Sequence, residues 1–398
     1  MPDELISSPG GVLAVLCAVA AFWFFVEQRS GWKLFQYVPP LLFIYATPVF
    51  LNNFGVIPSA SPVYSGLSSF ALPAFIVLML IKVNVPAAVR IMGKGVLVML
   101  MGTAGVVVGA VVSYVIVHRW LSEDAWQGVG ALAGSWIGGT GNMAATSEML
   151  GTSEEMFGLA VIADNVIYII WLPILLASKN FADRFNRWTG VDEGRLQTMD
   201  SASAAVIQEE RVPEMRDYIF LAAIAIGVTW IGSSLAAMLF EWTQTSLPAL
   251  QGMLTQSTWR VLLITTIALS LSVTPVARLP NSTAMGTAMI YIFVAGMGAR
   301  ASIEGFAQAP AFLLGALIWI FIHGGFCLLG AKLFKVDVHS VAIASAANIG
   351  AAASAPIVAA FHRPSLVPVS ILMALIGYAL GNYLAPLAGH LARIAVGQ

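Results

Sequence analysis

The chain has 398 residues, of which 59% are apolar and 10% charged, with a mean hydropathy of +0.85. Soluble domains carry about 25% charged residues, so this composition excludes a soluble fold and predicts an all-α polytopic membrane protein. A net charge of −1 argues against nucleic acid as a partner, and Cys17 and Cys327, each alone in an apolar run, exclude a disulfide framework or a cysteine metal cluster.

In chain order, the N-terminal "MPDELISSPGG" is acidic where a signal peptide needs a basic region, so the first apolar run is read as a retained spanning helix. "LAVLC" within it is only a weak lipobox. Stretches of bilayer length, about 20 residues each, fall at 11–27, 35–52, 68–84, 93–117, 126–150 and 156–177. A polar segment, 179–216, follows, and it is the one long linker. Six further stretches lie at 217–240, 260–277, 284–299, 309–334, 338–361 and 365–391. The expected organisation is therefore a first repeat over 1–178, a cytoplasmic linker over 179–216 and a second repeat over 217–398.

The fifth stretch holds "GSWIGGTGNMAATSE" and the eleventh "ASAANIGAAASAPIV", which align when Ile137 is laid on Ile349. Both are small and polar within apolar surroundings, and the order of stretches around them matches, which reads as an internal repeat. Charge decides how they sit. With all twelve stretches crossing, Lys and Arg divide almost evenly. With the fifth and eleventh dipping in and returning, Arg119, Arg260, Arg300 and Arg393 share one face and the other fifteen of the nineteen basic residues the opposite one. The positive-inside rule favours the second arrangement and puts the N-terminus outside. Each half then crosses five times and carries one re-entrant or broken helical hairpin. An odd number of crossings inverts the second half relative to the first, the pattern of secondary transporters. Non-helical backbone at membrane depth is tolerated where it lines a cavity or is buried in protein, so the two phrases are expected at opposed hairpin tips.

At those tips Gly138, Gly139 and Gly141 leave the backbone open, and Thr140 and Asn142 offer polar atoms; Asn348, Gly350 and Ser354 do so in the second copy. These eight form the candidate substrate site. Two half-helix N-termini suit an anionic group, and unwound carbonyls suit a cation. Asp164, with Asn165, is the clearest intramembrane carboxylate, and with Thr146 and Ser147 it forms the candidate ion site. Three roles stay open for Asp164: binding Na+, carrying a proton, or bracing the hairpin. Glu148 stands at the outer arm of the first hairpin. His323 reads as a packing or hydrogen-bonding residue before a ligand, Trp136 as packing or as a substrate stack, and Pro173, Asn382 and Pro386 as hinges or cavity lining.

The stretches "GGTGNMAATSE", "IADNVIYIIW", "ANIGAAASAPIVAAF" and "GYALGNY" resemble the DUF819 (YjcL-like) family of bacterial membrane proteins over nearly the whole chain. That family is similar to the cation/proton antiporter and anion transporter superfamily, which includes sodium/glutamate and sodium/bile acid symporters. The resemblance implies a scaffold domain and an elevator-type transport domain, a homodimer, and a bacterial cytoplasmic membrane. It implies no substrate, and "GAAASAP" departs from the Gly-Gly pair of the first copy. The expected function is Na+-coupled symport of a small organic solute (carboxylate, amino acid or peptide-like), with Na+/H+ antiport as the runner-up and Na+ or H+ in place of any cofactor. An intramembrane enzyme is the remote alternative: no GxSG, HExxH or pair of membrane carboxylates supports it.

Overall fold

The computed structural model describes residues 4–36, 39–192, 211–247, 250, 252–301 and 308–398; the middle of the linker, 193–210, lies outside the described residues. Those described form helices and no strand. They are α1 (Pro9–Ser30), α2 (Pro40–Asn53), α3 (Pro62–Leu80), α4 (Val85–Met92), α5 (Lys94–Val117), α6 (Ala125–Gly138), α7 (Thr140–Leu150) and α8 (Glu154–Ser178), then α9 (Ala182–Thr189) within the linker. The rest are α10 (Met215–Ser246), α11 (Gln256–Leu271), α12 (Ser282–Gly298), α13 (Ala309–Phe334), α14 (Val338–Ile349), α15 (Ala351–His362) and α16 (Val367–Ala395).

Local chemistry sets the ends. Ser8 caps α1 ahead of Pro9, and Gly31 closes it in the left-handed region. Ser153 caps α8, with Glu154 and Glu155 in its first turn against the positive helix end. Asp337 caps α14 through the Ser340 N–H. Within α3 a π-helical turn, Leu67–Ala71, precedes Pro73, which has no N–H to give to the previous turn.

Among the described residues, seven helices are long and apolar enough to cross a membrane: α1, α3, α5, α8, α10, α13 and α16. The stretches expected at 35–52, 260–277 and 284–299 form shorter helices of 14, 16 and 17 residues, α2, α11 and α12. Pro39 and Pro40 delay the start of α2, and Thr274–Pro275 ends the continuous helix before 277 and leaves a 3₁₀ turn over Pro275–Arg278.

The helices sort into two bundles, each drawing on both halves of the chain. One contains α1, α2, α3, α10, α11 and α12; the other contains α5 to α8 and α13 to α16. Lipid tails are as apolar as leucine, so cohesion inside each bundle comes from close contact rather than from leaving water. A Cβ on Gly377 of α16 would lie 2.3 Å from the Ile137 carbonyl of α6, an approach that only glycine permits.

The fifth and eleventh stretches are each broken and folded back. At the base of the first, Ser153 Oγ donates to Asp124 Oδ2 at 3.0 Å, tying the end of α7 to the start of α6. At the base of the second, His339 Nδ1 and His362 Nδ1 are 3.1 Å apart, tying α14 to α15. The arms are 11 to 14 residues, about 17 to 21 Å at 1.5 Å per residue, too short to cross a core of about 30 Å. The 25-residue α8 starts at the first base and ends at the second, where Lys179 Nζ donates to the Phe361 carbonyl at 2.6 Å and His362 Nε2 lies 2.9 Å from the Leu175 carbonyl. The hairpins thus stand at opposite ends of one helix about 37 Å long, with their tips toward its middle.

Candidate functional site

Where α6 gives way to α7, Gly139 has φ +81°, a conformation that side-chain-bearing residues rarely adopt. Ala351, the position equivalent to Gly139 when Ile137 is laid on Ile349, has φ +48°, also in the left-handed half of the map. The two positions touch: a Cβ on Gly139 would be 2.9 Å from that of Ala351. Non-glycine residues held there cost on the order of 1–2 kcal/mol and cluster at functional sites. The second tip therefore takes a positive φ at the equivalent position without a glycine.

A cavity of about 450 Å³ opens beside the tips, between the bundles. One wall is Phe24 and Glu27 of α1, Met79 of α3, and Thr283, Thr287, Ile290 and Tyr291 of α12. The other is the tip backbone at Gly139–Gly141 and Gly350–Ser354, Asp164, Asn165 and Tyr168 of α8, and Tyr378 of α16. The first turns of α7 and α15 both face this space, so two positive helix ends border it. A wider groove of about 610 Å³ adjoins and shares Phe24, Thr283, Thr287 and Tyr291.

Asp164 stands 10 residues into α8, at the level of the tips. Its Oδ1 accepts from Trp136 Nε1 at 3.0 Å, while the carboxyl is part-exposed to the cavity. Trp136 is fully buried, its ring centroid 4.8 Å from that of Trp319; it braces Asp164 and does not line the cavity. Asn165 is buried and donates to the Val161 carbonyl at 2.7 Å.

Of the twelve residues expected at the site, seven line the cavity: Gly139, Thr140, Gly141, Gly350, Ser354, Asp164 and Asn165. Five do not. Gly138 packs against the Gly377 carbonyl. Asn142 donates to the Tyr378 carbonyl at 3.0 Å and to Asn382 Oδ1 at 2.9 Å, and Asn382 in turn donates to Thr265 Oγ1 of α11 at 2.8 Å. Asn142 and Asn382 thus form a polar chain between the bundles. Thr146 and Ser147 are buried in the second arm of the first hairpin, and Asn348 donates to Thr103 Oγ1 at 2.9 Å under the second. Two oxygens among these, Thr146 Oγ1 and Asn348 Oδ1, are buried with no hydrogen-bond partner. An unsatisfied buried acceptor costs about 1–3 kcal/mol, and a cation offsets that cost.

Sequence reasoning missed Glu27, Ser135, Tyr168, Tyr291 and Tyr378. Glu27 reads as the solvated end of the first helix, and a tyrosine in an apolar run gives no sign of which way it faces. His323 is buried between the Gly102 carbonyl (2.9 Å) and Ser345 Oγ (3.0 Å), and Ser345 also accepts from Trp171 Nε1 at 2.9 Å. This histidine–serine contact lies behind the second hairpin, away from the cavity. Glu148 pairs with Arg260 at 2.9 Å and Glu154 with Arg300 at 2.9 Å, both across the two bundles at the first hairpin's base.

An all-helical membrane protein with two broken, opposed helices at a shared cavity is the class defined by this architecture. The chain belongs to the DUF819 family, described as a protein of unknown function, which matches residues 14–394. It is 25% identical over 385 residues to the uncharacterized membrane protein YjcL of Bacillus subtilis strain 168, covering 96% of this chain and 95% of that one.

Proposed function

We propose that this protein is a secondary active transporter that couples the movement of a small organic solute to Na+, with the hairpin-bearing bundle sliding against the other as an elevator. The observation that carries the reading is the meeting of two helix breaks beside a cavity that holds the Asp164 carboxylate. Broken helices at a mid-membrane cavity belong to transporters because their termini offer dipoles and free carbonyls to a solute and an ion. The cavity lies on the border between bundles, which is where an elevator carries its cargo.

The charge pattern supports inverted repeats in a bacterial cytoplasmic membrane with the N-terminus outside. Arg260, Arg300 and Arg393 meet partners around the first hairpin, Arg393 lying 5.0 Å from the Trp126 ring centroid. Lys179 and Lys332 bond at the far end, to the carbonyls of Phe361 and Trp188. The protomer works as a homodimer, with the other bundle as scaffold.

For Na+, Asp164 supplies the charge and Asn165, beside it on the cavity wall, a hard amide oxygen. Na+/H+ antiport is the second reading, because the Asp164 carboxylate faces the cavity and can take either cation. The burial of the His323–Ser345 contact speaks for bracing over catalysis. The test is uptake by the purified protein in proteoliposomes. Asp164→Asn keeps shape and hydrogen bonding but removes the charge that offsets ion desolvation, so Na+-dependent uptake and Na+-dependent thermal stabilisation both collapse while folding survives. Thr140→Ala weakens the solute more than the ion. Wild-type Na+ dependence in Asp164→Asn moves the ion site elsewhere, and Na+-driven proton release without solute uptake selects the antiporter.

A further inference from the structure

The charge pattern of the cavity narrows what it holds, on the premise of the transport reading above. Its described lining contains two carboxylates, Glu27 on α1 and Asp164 on α8, and no lysine, arginine or histidine. They sit on opposite walls, in different bundles. Asp164 is braced by Trp136 at the level of the tips. Glu27 lies three residues after Phe24, so the two share one face of α1. Phe24 meets Tyr291 of α12 edge to face, with ring centroids 4.7 Å apart. Glu27 therefore stands among aromatic rings on the wall opposite the tips.

A carboxylate beside ring faces attracts an ammonium group by charge and by the ring quadrupole together, and the same wall repels an anion. The helix ends on the facing wall favour negative charge. A volume of about 450 Å³ falls within the range of small-ligand sites. We propose that Glu27, with Phe24 and Tyr291, binds the ammonium group of the solute, so that the cargo is a small amine-bearing compound such as an amino acid and not a simple carboxylate.

The test uses the purified full-length protein and three matched sets of probes in a thermal-shift measurement, since a ligand that binds the native state stabilises it. The sets are alanine, ethylamine and propionate; leucine, isoamylamine and 4-methylpentanoate; and phenylalanine, 2-phenylethylamine and 3-phenylpropionate. Each set keeps one skeleton and removes either the carboxyl or the amino group. In at least one set the amine-bearing members raise the melting temperature and the deaminated acid does not. Glu27→Gln then weakens that binding about tenfold or more, and Glu27→Asp retains more of it than Gln. The proposal is overturned by an acid that stabilises as well as its amine-bearing counterparts, by binding unchanged in Glu27→Gln, or by no response in any set. If Glu27→Gln does not fold, the wild-type series alone decides. Uptake of the same probes into proteoliposomes separates the two claims: an amine bound but never carried keeps the site and removes transport, whereas a deaminated acid carried with Na+ keeps transport and removes the amine.

Discussion

At the scale of single residues, the two tips differ in strain. Gly139 takes φ +81° without penalty, and Ala351 takes φ +48° with one. Gly139→Ala forces a methyl group both into a disfavoured conformation and to 2.9 Å from the Ala351 side chain. It should cost more than about 1 kcal/mol and lower the melting temperature. Ala351→Gly removes the local strain and is expected to be neutral or slightly stabilising in the same measurement, because released strain opposes the larger unfolded-state entropy of glycine. Equal losses in both variants would contradict the strain assigned to Ala351. The aligned phrases made the position of the breaks legible in the sequence. The identity of the left-handed residue in the second copy was not, because alanine gives no sign of it. Asn142 and Asn348 lie off the cavity for a related reason: polarity marks a residue that needs partners, and here Asn382 and Thr103 supply them.

At the scale of elements, the second hairpin is clasped by His339 and His362, which stand at its base outside the spanning helices. Burial pushes both imidazoles below the ordinary histidine value; Lys179 and, at His339, Arg363 act in the same direction, against Asp337 and, at His362, against the hydrogen bond to the Leu175 carbonyl. The unfolded chain takes up its protons near pH 6.5 while the folded clasp stays neutral to lower pH. Between those points the unfolded state binds more protons, so stability falls as the solution is acidified through that window. Thermal melts from about pH 7.5 to about pH 5 should show that decline, and His362→Asn should flatten it by removing one titrating group and one of its like-charged neighbours. An unchanged pH slope in His362→Asn would remove the clasp from the account. The existence and place of both hairpins followed from short polar interruptions and the sidedness of lysine and arginine. Their closure could not be read in advance, because it depends on contacts such as His339–His362 and Asp124–Ser153 between the two ends of each stretch.

At the scale of the whole molecule, the two ion pairs Arg260–Glu148 and Arg300–Glu154 join the bundles at one pole, and Thr258 Oγ1 adds a bond to the Met149 carbonyl at 3.3 Å. On the proposed elevator motion, these contacts would break in each cycle. With Cys17 and Cys327 replaced, Glu148→Cys combined with Arg260→Cys and bridged by a short bis-methanethiosulfonate reagent should stop proteoliposome uptake, and reduction should restore it. Uptake that continues through the bridge would show that the bundles need not part at this pole. The exchange of helices between halves was hidden in the sequence, because linear order suggests two halves packed side by side. In space, the first three stretches of each half gather in one bundle and the last three in the other.

Three helices of the first bundle, α2, α11 and α12, have 14, 16 and 17 residues, which is about 21 to 26 Å of helix against a hydrocarbon layer of about 30 Å. A wall so short is in hydrophobic mismatch with an ordinary bilayer, and lipids meeting it must compress or tilt at a modest cost for each ångström. On the proposed transport reading, the solute path would then be shorter than the membrane is thick, because the bilayer would pinch beside it. Reconstitution in phosphatidylcholines of increasing acyl length tests this consequence: uptake should be greatest in short-chain bilayers and fall as the chains lengthen, whereas a profile independent of thickness would mean that neighbouring protein, and not lipid, covers the short helices.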